Sequence, residues 1–295
     1  MHGKARWVNA LLRTTARLPL PLLHLLGSGI GWLLWLIPNQ QKHIAAVNLR
    51  LCFPQHSGSE HRSLLRRSLV HAAKTVLELG PLWLWSGERV LGLIREVRGE
   101  DAWRDSLADN RGAIILTPHL GAWELTGLYI SSRYPLTALY RPSRLGLAFD
   151  ELVHRARERL GSRLVPTDAA GVRRLLQAIR KHEIAGILPD QSPGADGGQF
   201  APFFGHPAHT MLLLSRLAIR CRTPVFIAYA ERLPRGRGFR LHFEPLPESI
   251  NQEPLEHSMA VLNQAIERAI RQHPEQYLWT YKRFKPRPPG LAKVY

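Results

Sequence analysis

Residues 113–127, AIILTPHLGAWELTG, bring together the two groups in this chain best suited to proton transfer, a His at 119 and a Glu at 124. An imidazole can accept a hydroxyl proton near neutral pH, and a carboxylate can hold its other nitrogen and stabilise the charge that forms. The spacing rules out a shared helix, because five residues turn a helix by about 500° and leave the two side chains some 140° apart. His119 therefore belongs in a strand-to-helix turn and Glu124 in the first helical turn, where the two can meet beside a helix N-terminus as a general-base dyad. H-x-x-x-x-E is a weak pattern by itself. Its local alternative is a His satisfied by a loop carbonyl and a Glu that is a solvated first-turn acid.

Three apolar runs must position this chemistry. Ala113–Thr117 follows the breaker Asn110-Arg111-Gly112 and is stopped by Pro118; Leu136–Tyr140 ends in Arg141-Pro142; Ile184–Leu188 is stopped by Pro189 and followed by Asp190-Gln191. All three read as buried strands separated by helices, the alternation of a parallel sheet. If they are neighbours, His119, Arg141 and Asp190 converge on the C-terminal edge, where α/β folds bind ligands. Taken singly, Arg141 reads as a surface loop residue and Asp190 as a turn acid in PDQSPG. The helix between the second strand and Gly161 carries Leu145, Phe149, Leu152, Ala156 and Leu160 on its apolar stripe, with Arg155, Arg157 and Arg159 off it. Thr167 and Asp168 cap the next helix, and Ser57-x-x-Glu60 is a capping box opening another. Pro224–Ala230 and Phe239–Phe243 read as a hairpin across PRGRG, and a last long helix runs from Met259 to Ile270. Residues 192–207, rich in Gly and Pro and holding Phe200, Phe203 and Phe204, read as a lid, a ligand wall or packed core.

At 295 residues with 45% hydrophobic content, the chain has material for one large domain or two small ones. Its 40 Lys and Arg against 23 Asp and Glu give a formal charge of +17, which calls for an anionic partner: nucleic acid, acidic lipid, a phosphorylated substrate or an acidic protein. Residues 18–41 lack Asp, Glu, Lys and Arg and include Trp32 and Trp35, after a start carrying Lys4, Arg6, Arg13 and Arg17. That run is borderline for a spanning helix and is interrupted by Pro and Gly, so an interfacial or re-entrant anchor over residues 1–41 is expected, with 42–295 as the body. A buried helical hairpin is the alternative. Trp83 and Trp85 in GPLWLW read as core or as a second membrane patch. Cys52 and Cys221 are too few for a disulfide framework or a Cys zinc site, and a reducing compartment fits. His206-x-x-His209 has no accompanying ligand motif and is broken by Pro207, so no metal is expected there. No Gly-rich phosphate loop and no G-x-S-x-G is present.

NLRLCFP at 48–54, HLGAWE at 119–124, YRP at 140–142, LPDQ with PFFGHPAHT across 188–210, and HPEQYLW with RFKPRP across 273–288 together resemble the lauroyl and myristoyl transferases of lipid A biosynthesis, within the glycerolipid acyltransferase superfamily. The resemblance covers nearly the whole chain. It departs at Ala122, where the family usually has Asn, and at Tyr281-Lys282, where it usually has His-Arg. It implies an α/β fold with a largely parallel sheet flanked by helices and an N-terminal membrane-associated helical segment. It also implies acyl transfer from an acyl carrier protein thioester to a hydroxyl of a phosphorylated lipid A precursor, without a cofactor. His119 would be the base, Glu124 its orienting acid and Asp190 part of the site architecture; Arg141 would hold a phosphate, with Arg157 and Arg283 as weaker candidates. Amides in the turn after His119 would hold the oxyanion. The charge then fits an acidic carrier protein, a phosphorylated acceptor and the anionic inner-membrane leaflet, with the site on the cytoplasmic side. Other glycolipid or lysophospholipid acceptors stay open. A nucleic-acid-binding protein lacks its signature motifs and leaves the apolar run unexplained, and a non-catalytic lipid-binding protein would show no turnover.

Overall fold

Short, branched and apolar, the segments 113–116 and 184–187 are buried along their whole length, as strands covered on both faces must be. The computed structural model describes residues 2–108, 112–143 and 146–295. Asn110 and Arg111 of the expected breaker and Leu145 of the expected helical stripe lie outside the described residues. Along the chain run α1 (His2–Thr15), α2 (Leu20–Leu36), α3 (Gln40–Cys52), α4 (Gly58–Leu84), α5 (Gly87–Leu91), β1 (Ile94–Arg98), α6 (Glu100–Ala108), β2 (Ala113–Leu116) and α7 (Trp123–Ser131). There follow β3 (Leu136–Tyr140), α8 (Leu147–Glu158), β4 (Arg163–Pro166), α9 (Ala169–Arg180), β5 (Ile184–Ile187), β6 (Gly198–Phe203), β7 (His206–Met211), α10 (Leu212–Cys221), β8 (Val225–Arg232), β9 (Phe239–Pro245) and α11 (Leu255–Gln272).

Seven strands form one sheet in the order β1-β9-β8-β2-β5-β3-β4. Every neighbouring pair is parallel except the β8/β9 hairpin. The three strands expected to lie together do so, with β5 between β2 and β3. Helices cover both faces. One core cluster joins Ile114, Leu116 and Ile187 to Leu262, Ile266 and Ile270 of α11, and the other joins Ile115 and Ile184 to Leu125 and Leu128 of α7 and to Trp103. Full burial of each such side chain contributes roughly 1.5–3 kcal/mol. The 192–207 segment is not an irregular loop: β6 and β7 form a separate antiparallel hairpin, with Phe203 and Phe204 packed into the first cluster.

Ser57 and Glu60 make both bonds of the capping box, and α4 runs on through Pro81 to Leu84. Trp83 and Trp85 are buried, and the Trp85 indole donates to the Ala16 carbonyl, so this stretch belongs to the core.

No single described helix is long and apolar enough to cross a membrane; α2 and α3 qualify only as a pair bent by 83°. α2 instead docks on α4 through Leu23, His24, Gly27 and Gly31. A Cβ on Gly31 would come within 2.3 Å of the Val70 Cα, so only Gly allows that approach. The opposite side of α2 exposes Leu25, Trp32, Leu33 and Leu36, and Trp7 of α1 is also exposed. Under α2 lies a buried ionic cluster. Arg232 makes a two-pronged bond to Glu78, from Nε to Oε1 at 2.5 Å and from Nη2 to Oε2 at 2.6 Å, and the His24 Nε2 lies 2.6 Å from Oε1. The boundary expected near residue 41 is therefore crossed by a hydrogen bond between α2 and the body. Removing one partner of such a pair strands the other charge at a cost of about 3–5 kcal/mol. Glu78→Ala should lower unfolding stability by about that amount, and Arg232→Met with Glu78→Leu together by much less. Denaturant unfolding in detergent checks this, and a loss under about 1 kcal/mol for Glu78→Ala would contradict it.

Candidate active site

β2 ends at Leu116, and the chain turns through Pro118 and His119 before entering α7 at Trp123. The turn is fixed on two sides. The Gly121 amide donates to the Gln276 carbonyl at 3.0 Å, the Ala122 amide to the Ala230 carbonyl at 2.9 Å, and the Leu278 amide to the His119 carbonyl at 3.1 Å. Gly121 sits at φ +62°, where a Cβ would lie 2.0 Å from the Ala230 oxygen, so a side chain is excluded both conformationally and by space.

Asp190, delivered by the end of β5, accepts the His119 amide at 2.9 Å on one carboxylate oxygen and the His119 Nδ1 at 2.8 Å on the other. Burial alone would push this carboxyl up, but the charge and bonds of His119 more than offset it and hold Asp190 below its ordinary value of 3.8. An ionised Asp190 fixes the proton of a neutral imidazole on Nδ1 and leaves Nε2 as the acceptor. The Gln191 side-chain nitrogen lies 3.3 Å from that Nε2. Trp123 meets the ring edge-on, 4.9 Å between centroids, and His119 keeps 15% of its side chain exposed. A partly accessible imidazole with an acceptor lone pair in front and a buried acid behind it is built to take a proton from a substrate.

Glu124 takes a different partner from the one its spacing promised. It is the second residue of α7, only 6% exposed, and Arg157 of α8 grips it from Nε at 2.9 Å and Nη2 at 2.5 Å. Burial raises the Glu124 carboxyl and the Arg157 guanidinium lowers it more, so it too is held below the usual range. The helix starts so soon after the positive-φ Gly121 that Trp123 faces the imidazole while Glu124 turns toward α8. The acid on the His119 ring is thus Asp190, from another strand. Arg157, expected as a weaker phosphate candidate, is bonded to Glu124 through both Nε and Nη2.

Arg141 follows β3 at the expected edge, exposed, with no hydrogen bond or ion pair to another described residue. The adjoining loop is tied by Asp150, which accepts from the Tyr140 hydroxyl at 2.5 Å and the Ser143 amide at 2.8 Å. Arg283 is buried, donating to the His209 carbonyl at 2.7 Å and the Thr210 hydroxyl at 3.0 Å; it offers no open face to a phosphate. The amides of Leu120, Gly121 and Ala122 all donate to carbonyls, so the turn does not supply the oxyanion donors expected of it. Gln191, beside the His119 Nε2, is a residue that sequence reasoning misses; its place right after Asp190 is the available signal. Tyr281 accepts the Ser192 amide at 2.9 Å and so braces the segment that carries Gln191.

Beside Glu124 and Arg157 opens a mainly apolar cleft between the sheet and α7/α8, lined by Trp123, Gly127, Leu128, Leu139 and Leu164 among others.

Residues 4–286 match the family of bacterial lipid A biosynthesis acyltransferases. The chain belongs to that family. It is 32% identical to the lipid A biosynthesis palmitoleoyltransferase of Escherichia coli K12 over 95% of this chain and 90% of the relative. It is 29% identical to the lauroyltransferase of the same organism over 98% and 94%, and 27% identical to a lipid A biosynthesis acyltransferase of Haemophilus influenzae over 96% and 90%. Three buried carboxylates of the chain are held below their ordinary values by their partners. Glu78, Glu124 and Asp190 are all depressed, and a depressed carboxylate contributes stability above its unfolded pKa that is lost as pH falls through the folded value. Unfolding free energy should therefore fall as the pH drops below about 4.5. Urea midpoints across an acid series measure this; a midpoint that climbs with added acid would contradict it.

Proposed function

We propose that this acyltransferase moves a fatty acyl chain from an acyl carrier protein thioester to a hydroxyl of a phosphorylated lipid A precursor, with His119 as general base. The observation that carries the reading is the partly exposed His119 imidazole, held at Nδ1 by the buried Asp190 carboxylate with Nε2 left facing the Gln191 side chain. In this mechanism Nε2 takes the acceptor hydroxyl's proton as its oxygen attacks the thioester carbonyl, and the imidazolium is stabilised by Asp190. Collapse breaks the C–S bond, and the proton passes to the leaving thiolate. No acyl-enzyme is needed. Gln191 moves off Nε2 when the hydroxyl arrives and is placed to donate to the oxyanion. Glu124 holds Arg157 at the cleft wall. The guanidinium of Arg141, exposed and without a bond to another described residue, takes a substrate phosphate, the geometry that suits paired charge-assisted bonds.

The acceptor class is supported by the names of the relatives, all lipid A acyltransferases. The protein sits at the inner membrane with its site on the cytoplasmic side, where a carrier-protein donor is available. The exposed apolar side of α2 with Trp32, and Trp7 of α1, enter the interface, and the +17 charge favours anionic lipid and an acidic carrier over nucleic acid.

Mass spectrometry of lipid A from cells with and without the protein should show one added acyl chain, and purified protein should turn over acyl carrier protein thioester; no turnover would sink the assignment. Asp190→Asn should cut kcat by about 10³–10⁴. Asp190→Asn combined with His119→Ala should be little worse than His119→Ala alone. If Glu124→Gln costs more than Asp190→Asn in a folded protein, the orienting acid is Glu124.

The cleft reading gives a separate test. A Cβ on Gly127 would meet nothing within 4 Å, so Gly127→Leu projects into the cleft without breaking the helix. Donor preference should shift to shorter chains, each displaced methylene costing about 0.8 kcal/mol, roughly fourfold in kcat/KM. Competition between thioesters of graded length measures it, and an unchanged preference would place the acyl chain elsewhere.

A further inference from the structure

His206 and His209, the pair with metal-motif spacing, are given to other tasks: the His206 Nε2 lies 3.0 Å from the Leu51 carbonyl and the His209 Nδ1 lies 3.0 Å from the Ser192 hydroxyl. A different set of ligand types meets in space. Glu231 on β8, His242 on β9 and His273 at the C-cap of α11 bring one carboxylate oxygen and two ring nitrogens within 4.8 Å of one another. Both rings aim Nε2 at the same oxygen, Glu231 Oε2, at 2.9 Å for His242 and 3.7 Å for His273.

We propose that Glu231, His242 and His273 form a binding site for a divalent transition metal, with zinc the ion their donors favour. Two imidazoles and a carboxylate are a donor set that zinc takes with water completing the shell. The register explains the convergence. Tyr229 pairs with His242 and Glu231 with Arg240, so all four side chains share one face of the hairpin, and His273 packs onto that face from the end of α11. Tyr229 stacks on the His242 ring at 4.6 Å and 9°, which fixes the ring plane. Its hydroxyl is tied to Glu244 and Gln272. The ligands are shielded without being sealed, with side chains 12%, 7% and 19% exposed for Glu231, His242 and His273, so an ion can enter and a water can stay.

Arg240 is the competing cation. Its Nη1 lies 3.0 Å from the same Oε2, while its Nε bonds Glu96. A metal displaces the first contact and leaves the second. Binding would join the β8/β9 hairpin to the segment after α11, whose Gln276 and Leu278 hold the turn bearing His119. The site is outside the acyl-transfer machinery, so its failure and that of the proposed function are separate.

The test is zinc titration of the full-length, tag-free protein in detergent, read by chelator competition. One zinc per chain is expected, with His242→Ala and His273→Ala each weakening it by about 100-fold or more, somewhat beyond what losing a supporting residue costs. His209→Ala should leave it unchanged. Arg240→Gln should tighten it or leave it unchanged, because Arg240 competes for the Glu231 oxygen and is not a ligand. Because the His variants could disturb the hairpin, cobalt added to the wild type gives an independent readout: visible bands of a low-coordinate site without thiolate charge transfer. The proposal is overturned by the absence of a stoichiometric zinc or cobalt signal in the wild type. Unchanged affinity in both folded His variants, or loss of binding in His209→Ala or Arg240→Gln instead, overturns it as well.

Discussion

The ion pair between Glu78 and Arg232 is the constraint on which the rest of the molecule turns. Both side chains are 1% exposed, and charges so far from water survive only when each supplies the other's hydrogen bonds. That requirement fixes the end of β8 against α4 and, through His24, fixes α2 against both. It reaches the chemistry as well. The Arg232 Nη2 lies 3.4 Å from the Gly121 carbonyl, and Gln276 holds the Arg232 amide and carbonyl while its own carbonyl takes the Gly121 amide. The turn that carries His119 is thus laced into the same buried network that seats the N-terminal helix.

Within that frame, two carboxylates close to one imidazole are told apart by their partners. Asp190 is buried behind the ring and bonded to it twice, through amide and Nδ1, a geometry that fixes position and tautomer together. Glu124 has a full guanidinium across it and is neutralised as a charge before it can act as the ring's acceptor. Both stay ionised, one against an imidazole and the other against an arginine, so the environment of each decides its role more than its distance along the chain does.

This is also where the sequence stops being legible. Strand ends are local events, written in apolar runs closed by Pro, and so β2, β3 and β5, the meeting of His119 with Asp190 at their C-terminal edge, and the β8/β9 hairpin can all be read in advance. Caps are equally plain: Ser57 with Glu60, and Asp168 accepting from Gly171 at 2.9 Å. Side-chain direction in the turn is not local in this sense. It depends on Gly121 adopting φ +62° under the carbonyl of Ala230, a residue far along the chain, and that choice sends Trp123 rather than Glu124 to the ring. β1 and β4 escape notice because half-exposed strands such as IREVR and RLVP show little apolar signal. β6 and β7 hide behind Gly and Pro that usually mark loops, and Arg283 looks like a free cation only because its burial comes from residues 70 or more positions away.

The apolar N-terminal run illustrates how one composition serves two neighbours. Read by hydropathy, residues 18–41 are a single membrane-seeking segment; read by face, α2 divides. Gly27 and Gly31 let its inner side approach Lys74 and Val70 of α4 at backbone distance, and His24 places a ring nitrogen 2.6 Å from the Glu78 carboxylate. Leu25, Leu33 and Leu36 have no such neighbour and stay open. A segment whose only task was to anchor would gain nothing from a buried histidine, since an unpaired polar group within an apolar contact is costly and a plain leucine would bind lipid better. The histidine makes sense if the helix must sit in one register on the body while its other side meets the proposed interface. Because the same cluster touches Gly121, that register is shared with the turn carrying His119: the surface that would meet the lipid and the base that would act on it are held by one set of buried charges.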